Sequence, residues 1–372
     1  MTGREQTDIF EIFNFLRFPL MAGVILIHCN FLPDMPEPMA PGANTAMFTA
    51  CLAWFDRYIL SLSVPLFFFM SGYLFFRSGP QLSATGYAHK LAGRARSLLI
   101  PYMAWNTIGL LLLALKKLPA LAPAFPQYES FTFSIPQILT GYVDLAGSGY
   151  PYDFVLWFLR NLILIVILSP LVSWALQVNR WLAPALFFIA AYMTGHAAFL
   201  RVPVDMIYFA TGAAMASSGS TSAIRGNIIP PTVAWLILIV LSATEAIPQQ
   251  LSPTLTVALT LTGLIMTVRI AAACVDRGCS VPRFLTSATF FIYAFHGLFA
   301  TIVRKSVTIV IPPVSDLTCA AVYFGSFAID LGLSLLAFAT MRRICPRTLS
   351  VLCGMRDKPL KQDQPVIRPE CI

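Results

Sequence analysis

The sequence predicts an all-α polytopic membrane protein with about ten transmembrane helices and both termini in the cytoplasm. Hydrophobic residues make up 57% of the 372 residues, charged residues only 11%, and the mean hydropathy is +0.74. A soluble globular domain carries roughly 25% charged residues. Most of this chain must therefore lie in lipid, which excludes an ordinary soluble enzyme.

Ten apolar segments of about 17–25 residues are each long enough to cross a bilayer as a helix. The sixth, Val202 to Ser218, is short and rich in small residues. The segments begin near Ile9, Ala53, Ser97, Phe154, Trp181, Val202, Asn227, Ser252, Leu285 and Thr318.

The positions of the basic residues orient this topology. With both termini inside, 16 of the 25 Lys and Arg residues lie in inner segments and five in outer ones. Such an excess is typical of cytoplasmic loops. The net charge of +8 is then explained by topology and by anionic lipid, so we expect the lipid bilayer as a partner and no nucleic acid.

The domain organisation is simple. Residues 1–345 are predicted to form one membrane-embedded domain, and the polar residues 346–372 a cytoplasmic, disordered tail. The eight cysteines include no C-x-x-C pair and have no nearby set of histidines. We therefore predict no metal site and no permanently bound cofactor.

An arginine and a histidine lie inside the first apolar segment. Arg17 and His28 are eleven residues apart, about three helical turns, so they share one face and are separated by about 16 Å along the axis. Pro19 lies between them, so the shared face is approximate. Ionisable groups at this depth usually face a cavity and are functional. The alternatives are a pair that extends toward the membrane surface, or an arginine that is paired for structural reasons.

The two side chains suit acyl-group chemistry. A buried neutral imidazole at His28 would act as a general base toward an acceptor hydroxyl. The permanently charged Arg17 suits a phosphate, a thioester oxygen or a developing oxyanion.

Further polar side chains lie in later segments. Tyr293 and His296 are neighbours on one helical face and either line the same cavity or form a structural bond between helices. Asp330 lies in the middle of the tenth segment, where a carboxylate needs a partner; we expect Arg269 or Arg160 to pair with it.

A basic run enters the third segment from the cytoplasm. Lys90, Arg94 and Arg96 precede Pro101-Tyr102. These cations either grip the phosphates of a nucleotide donor or only signal topology and contact lipid.

Five short motifs together make the chain resemble the acyltransferase 3 family of integral-membrane acyltransferases. They are Arg17 with His28, Val64-Pro-Leu-Phe-Phe-Phe-Met-Ser-Gly-Tyr-Leu-Phe75, the entry from Arg94 and Arg96 to Pro101-Tyr102, Leu156-Trp157-Phe-Leu159, and Phe291-Ile-Tyr293-Ala-Phe-His296.

The resemblance implies a membrane-bound acyltransferase of a bacterial inner membrane. Such an enzyme moves an acyl group, usually acetyl, from cytoplasmic acyl-CoA to a hydroxyl of a carbohydrate or envelope glycan. By resemblance His28 and Arg17 are the catalytic pair, and Arg94, Arg96 and Lys90 bind the co-substrate acyl-CoA. Trp157, Tyr293, His296 and Asp330 are then candidate cavity or support residues, and glycan-assembly proteins are possible partners.

One departure from the family pattern concerns the motif arginine. Members often carry an acidic residue three positions before it, where this chain has Asn14; Glu11 or Asp330 is expected to orient Arg17 instead. The competing function is a transporter or export component for a glycan or a small anionic solute, without bond chemistry. The lack of internal repeats argues against it.

Overall fold

The fold is built from α-helices and their connections, and the described residues contain no β-strand. The computed structural model describes residues 3–34, 44–79, 83–125, 128–193, 202–218, 224–244, 248 and 251–354. The helices are α1 (Gly3–His28), α2 (Ala46–Tyr58), α3 (Ser63–Phe76), α4 (Ala84–Arg94), α5 (Ile100–Lys116), α6 (Ile135–Gly141), α7 (Trp157–Ile167), α8 (Ser169–Val178), α9 (Leu182–Met193), α10 (Val202–Ser217), α11 (Ile229–Ala243), α12 (Ser252–Asp276), α13 (Arg283–Val310), α14 (Asp316–Ile344) and α15 (Pro346–Leu352).

Six helical stretches in the described part of the chain are long and apolar enough to cross a bilayer. They are α1 from Ile9 onward, α2 with α3, α4 with α5, α12, α13 and α14. A seventh candidate is the segment Phe154–Ile167 together with α8, which is bent by 55° at the break. Helices α9, α10 and α11 have only 12, 16 and 15 residues. The prediction of an all-helical membrane protein is confirmed, although fewer than ten helices reach spanning length within the described residues.

The basic run before the third predicted span is helical, so the helical stretch that contains this span begins before Ser97. Ser83 caps α4 by accepting a hydrogen bond from the backbone N–H of Gly86. The chain then passes through one π-helical turn, Ala95–Leu99, into α5. A π-turn inserts extra backbone into the helix, which changes the direction in which the following side chains point.

Helices α3 and α10 cross at their glycines. A Cβ atom on Gly72 would lie 1.9 Å from the carbonyl oxygen of Phe209, and one on Gly212 would lie 2.0 Å from that of Phe69. Only glycine permits this approach, as at other close membrane helix contacts. The crossing buries Phe69 and Phe209 and fixes α3, which lines the site described below.

The end of the membrane domain lies further along the chain than predicted. Disorder was expected from residue 346, but α15 occupies Pro346–Leu352 and buries Leu349 and Leu352. The indole N–H of Trp105 donates a hydrogen bond to the carbonyl of Leu352 at 3.0 Å. Apolar burial and this bond hold α15 against α5, so the folded region reaches at least Gly354. The remaining predicted tail, 355–372, lies outside the described residues.

Candidate active site

A cavity of about 530 Å³, here called the central cavity, receives both ionisable side chains of α1. Arg17 and His28 both line it, as their helical spacing predicts. With 1.5 Å of rise per residue, their Cα atoms are separated by about 16 Å along the helix axis. The two residues therefore line different ends of one elongated cavity.

Most of the central cavity wall is apolar. Its other lining residues are Met21, Val24, Ile27, Val64, Phe67, Ser71, Arg94, Leu98, Val155, Trp157, Phe158, Leu159, Leu162, Thr286, Ser287, Thr289, Phe290, Tyr293 and Cys353. Five predicted site residues thus meet here: Arg17, His28, Arg94, Trp157 and Tyr293. A mostly apolar cavity with a few converging polar groups is typical of a small-molecule site.

The guanidinium of Arg17 has no hydrogen-bond or ion-pair partner among the described residues. The two acidic residues expected to orient it do not do so. Glu11 is exposed and lines a separate cavity with Asn14, and the carboxylate of Asp330 makes no hydrogen bond to a described residue. A half-buried cation among apolar walls is costly unless an anion or polar ligand pairs with it. Arg17 therefore brings a charge with no partner among the described residues to the wall of the central cavity.

The His28 imidazole is held at the end of α1 by aromatic packing. Its ring meets that of Phe154 edge-on, with centroids 4.9 Å apart. Arg304 donates a hydrogen bond from Nη1 to the backbone carbonyl of His28 at 2.9 Å, which places a cation at the helix C-terminus. The ring itself makes no hydrogen bond within the described part of the chain.

His296 lies behind His28 and does not line the central cavity. The two ring centroids are 5.5 Å apart, and His296 is fully buried. Its Nδ1 lies 2.9 Å from the carbonyl oxygen of Ile292; because a carbonyl only accepts, Nδ1 carries the proton. Nε2 of His296 is then an acceptor, and it has no partner among the described residues.

Tyr293 lies one turn before His296 and does line the central cavity. Its hydroxyl donates to the carbonyl of Val155 at 2.6 Å. This bond joins α13 to the segment that carries Trp157. Tyr293 thus lines the central cavity and also links two helices, whereas His296 does not line it, so the two side chains do not share this cavity.

A second cavity of about 360 Å³, here called the basic pocket, adjoins the central cavity through Arg94. It is lined by Leu74, Phe75, Arg77, Ser78, His89, Lys90, Gly93, Arg94 and Ser97. The ammonium of Lys90 donates to the carbonyl of Phe75 at 2.7 Å and lies 4.7 Å from the centre of its ring. Arg96 is exposed and lines neither cavity, because it falls within the π-turn, two residues beyond Arg94.

Asp330 stands apart from the cavities and from its expected partners. It is 1% exposed, and neither of its carboxyl oxygens has a hydrogen-bond partner among the described residues. Arg160 donates instead to the carbonyls of Val143 and Gly149 at 2.6 and 2.9 Å. The guanidinium of Arg269 donates to the carbonyl of Asn227 at 2.6 Å. The predicted pairing of Asp330 with either arginine is wrong, since both cations are occupied elsewhere.

Sequence reasoning missed Asp153, which directly precedes the fourth apolar segment. Asp153 is 1% exposed, and its carboxyl oxygens have no hydrogen-bond partner in the described residues. A Cβ on Gly297 would lie 2.5 Å from Oδ1 of Asp153, so this glycine makes room for the acid. Burial raises the pKa of Asp153 well above its usual value. The one available signal was its position directly before the apolar run that contains Trp157.

Comparison with known proteins gives one family and one curated relative. Residues 10–339 match the family model for acyltransferase 3, described as an acyltransferase domain. The chain is 27% identical over 188 residues to the "Succinoglycan biosynthesis protein ExoH" of Rhizobium meliloti (strain 1021). That match covers 48% of this chain and 46% of the relative, so the chain spans about half the length of ExoH. No solved structure matches this chain.

Proposed function

Because this chain belongs to the acyltransferase 3 family, we propose that it transfers an acyl group, most simply acetyl, from acyl-CoA to a hydroxyl of a carbohydrate or envelope glycan. The observation that carries the proposal is the central cavity. It combines Arg17, a cation with no partner among the described residues, with His28, whose ring is not hydrogen-bonded to any of them. The relative ExoH is named for succinoglycan biosynthesis, which supports a polysaccharide acceptor.

The basic pocket supplies the donor site. Arg77, Lys90 and Arg94 bring three cations to one small cavity, and clustered cations bind phosphate groups strongly. Because Arg94 lines both cavities, a donor with its phosphates in the basic pocket can extend its thioester arm into the central cavity.

The separation of Arg17 and His28 assigns them different tasks. Reacting atoms must approach to about 3–3.5 Å, whereas the Cα atoms of these residues are about 16 Å apart along α1. The Arg17 side chain also points back toward the start of the helix, away from His28. Arg17 therefore binds a polar or anionic part of the donor arm, and the acyl transfer takes place at His28.

The reaction at His28 is a general-base acyl transfer. The imidazole removes the proton of the acceptor hydroxyl as that oxygen attacks the thioester carbonyl carbon. The carbon–sulfur bond then breaks, and the departing CoA thiolate takes up the proton from the imidazolium. The products are the O-acyl sugar and free CoA, and His28 returns to its neutral form.

The topology proposed for this reaction has ten spans, with both termini in the cytoplasm. The six long helices, the bent pair and the three shorter helices supply ten apolar segments, and the bias of basic residues toward inner segments supports the orientation. The basic pocket then faces the cytoplasm, where acyl-CoA is made. The bacterial source of ExoH supports an inner-membrane location, where glycan-assembly proteins would be partners.

The test is CoA release by membranes that contain the protein, supplied with acetyl-CoA and host exopolysaccharide. We expect release by the wild type and loss of release in His28→Gln and Arg17→Met, two substitutions of similar size. Arg225→Met serves as the control, because Arg225 forms its ion pair with Asp276 outside these cavities. Equal release by all four proteins would exclude this assignment. An absence of release with every acceptor, together with exchange of labelled glycan across the membrane, would establish the transporter function instead.

A further inference from the structure

A third cavity, of about 380 Å³, shares a wall with the central cavity. We call it the hydroxyl pocket, because eight of its lining residues carry hydroxyl groups. The lining consists of Ile27, Arg57, Tyr58, Ser61, Val64, Pro65, Trp157, Val204, Asp205, Tyr208, Leu241, Ser242, Thr244, Ser252, Leu255, Thr256, Leu259 and Thr260. Its volume is at the small end of the range for ligand sites, about 300–1,000 Å³.

The hydroxyl groups of this pocket leave hydrogen-bond acceptors available to a ligand. Ser61 donates to the carbonyl of Arg57 at 2.6 Å, Thr256 to that of Ser252 at 2.9 Å, and Thr260 to that of Thr256 at 2.8 Å. Each hydroxyl proton is thus used by the backbone carbonyl four residues earlier, while oxygen lone pairs are left to accept. A ligand rich in O–H donors complements such a wall.

Two charged residues line the pocket. Arg57 is exposed, and its guanidinium carbon lies 5.6 Å from the centre of the Tyr58 ring. Asp205 is only 6% exposed and accepts a hydrogen bond from Nδ2 of Asn161 at 2.7 Å. A carboxylate fixed in this way is a strong acceptor for a further hydroxyl.

The wall between the two cavities lies beside the proposed base. Ile27, Val64 and Trp157 line both the hydroxyl pocket and the central cavity, and Ile27 directly precedes His28. An amphipathic ring that packs on the Trp157 indole can direct one hydroxyl past this wall toward the imidazole. The pocket is therefore adjacent to the end of the central cavity where the transfer is proposed.

The hydroxyl pocket and the basic pocket lie at opposite ends of one helix. Val64 of α3 lines the first, whereas Leu74 and Phe75 of the same helix line the second. Ten residues of helix separate Val64 from Leu74, about 15 Å along the axis. The central cavity lies between the two pockets and touches both.

We propose that the hydroxyl pocket binds a sugar unit of the acceptor glycan, with Thr256, Thr260 and Asp205 accepting hydrogen bonds from its hydroxyls and Trp157 packing against its ring. This inference rests on the proposed acyl transfer, to which it adds the acceptor site. Donor and acceptor then approach the central cavity from opposite sides, so neither has to leave before the other binds.

The first test measures binding without catalysis. The variant Thr256→Cys places a thiol in the pocket, and the rate at which a maleimide labels it is measured. The wild type gives the background labelling of the native cysteines. Octyl β-D-glucoside is the sugar ligand, and octyl tetraethylene glycol, with the same alkyl chain and no sugar, is the control. We expect only the glucoside to slow labelling. Equal protection by both compounds, or by neither, would overturn the proposal.

The second test measures the acceptor role by isosteric substitution. Thr256→Val and Thr260→Val each remove one hydroxyl and should raise the KM for the acceptor glycan about 2- to 10-fold, with the KM for acetyl-CoA unchanged. Thr262→Val is the matched control, because Thr262 lies on the same helix outside the pocket and also donates to its own helix, to Ala258 at 2.9 Å. An unchanged acceptor KM would overturn the acceptor role.

The two tests separate this inference from the proposed function. Protection by the glucoside without any CoA release would leave a sugar site but exclude the transferase. CoA release that depends on His28, without protection by the glucoside, would retain the transferase and exclude this pocket.

Discussion

The imidazole rings of His28 and His296 lie with their centroids 5.5 Å apart and their planes inclined by 37°. The Nδ1–H of His296 is used by the carbonyl of Ile292, so its Nε2 faces the interior as an acceptor. No carboxylate hydrogen-bonds to the His28 ring in the described part of the chain. The neighbour that can orient the proposed base is therefore a second, neutral histidine.

This arrangement predicts that His296 positions His28. His296→Gln keeps an acceptor, whereas His296→Leu keeps only the volume. We expect the leucine variant to lower kcat roughly 10-fold, because it removes the acceptor that can take a hydrogen bond of about 1.4 kcal/mol from the His28 imidazolium formed during the transfer, and the glutamine variant to retain most activity. CoA release at saturating substrates measures both. Equal loss in the two variants, with unchanged Tm, would contradict a positioning role.

Replacing Arg17 should affect activity and stability in opposite directions. The guanidinium is half-buried and has no partner in the part of the chain that the structure describes, so Arg17→Met should leave the Tm of the ligand-free protein unchanged or raise it, because a desolvated charge is removed. Acyl-CoA turnover should fall on the order of 10²-fold, as for loss of a buried cation that contacts the substrate.

Arg17→Lys separates charge from geometry. Lysine keeps the charge but not the planar donor fork, so partial activity is expected. Thermal unfolding in detergent and CoA release are measured on the same samples. A large drop in Tm for Arg17→Met would show that this arginine is structural.

Arg94 and Arg96 should differ, although both belong to the same motif. Arg94 lines the basic pocket and the central cavity, whereas Arg96 is exposed and lines neither. Arg94→Ala should raise the KM for acetyl-CoA about 10-fold or more, since a charge-assisted hydrogen bond contributes about 1.5–3 kcal/mol. Arg96→Ala should change it less than about 3-fold. Similar increases in the two variants would show that the phosphates bind outside the pocket.

The helical part of the site could be predicted from the sequence, because periodicity relates residues on the same helix. Arg17 and His28 share the central cavity for this reason. Arg94 and Arg96 differ because side chains two residues apart on a helix point in nearly opposite directions; the resemblance, and not periodicity, placed both at the donor site. Contacts between helices could not be predicted from the sequence. The environment of Asp330 and the junction of the cavities at Trp157 depend on how α3, α7, α10 and α14 pack, which spacing along the chain does not encode.

The buried acid Asp153 predicts a pH dependence of stability. Its folded-state pKa is raised by burial above the unfolded value of about 3.9. The folded state thus binds a proton that the unfolded state releases, and stability falls as pH rises from about 4 toward the folded pKa. Asp153→Asn removes the titrating carboxyl group, so the Tm of the variant should decline less than that of the wild type between about pH 5 and 8. This range begins about one unit above the unfolded pKa of Asp.

The control for Asp153 is an exposed carboxylate. Glu129 is exposed in the loop before α6, so Glu129→Gln should leave the wild-type dependence of Tm on pH intact. A wild-type Tm that does not change with pH, or an asparagine variant with the wild-type slope, would exclude a neutral Asp153 as its source.

The crossing of α3 and α10 predicts that a single methyl group disrupts the fold. In Gly72→Ala the new Cβ would lie 1.9 Å from the carbonyl oxygen of Phe209, and in Gly212→Ala 2.0 Å from that of Phe69. These are backbone atoms that cannot turn aside, so the helices must separate, and overpacking costs about 1–3 kcal/mol or more. Gly332→Ala is the matched control, because no atom lies within 4 Å of its new Cβ and alanine favours the helix by up to about 1 kcal/mol. Thermal unfolding followed by gel filtration in detergent should show a lower Tm for the first two variants and an equal or higher Tm for the third.

Because α3 connects the basic pocket to the hydroxyl pocket, the surviving folded fraction of Gly72→Ala should also release less CoA per molecule, whereas Gly332→Ala should match the wild type.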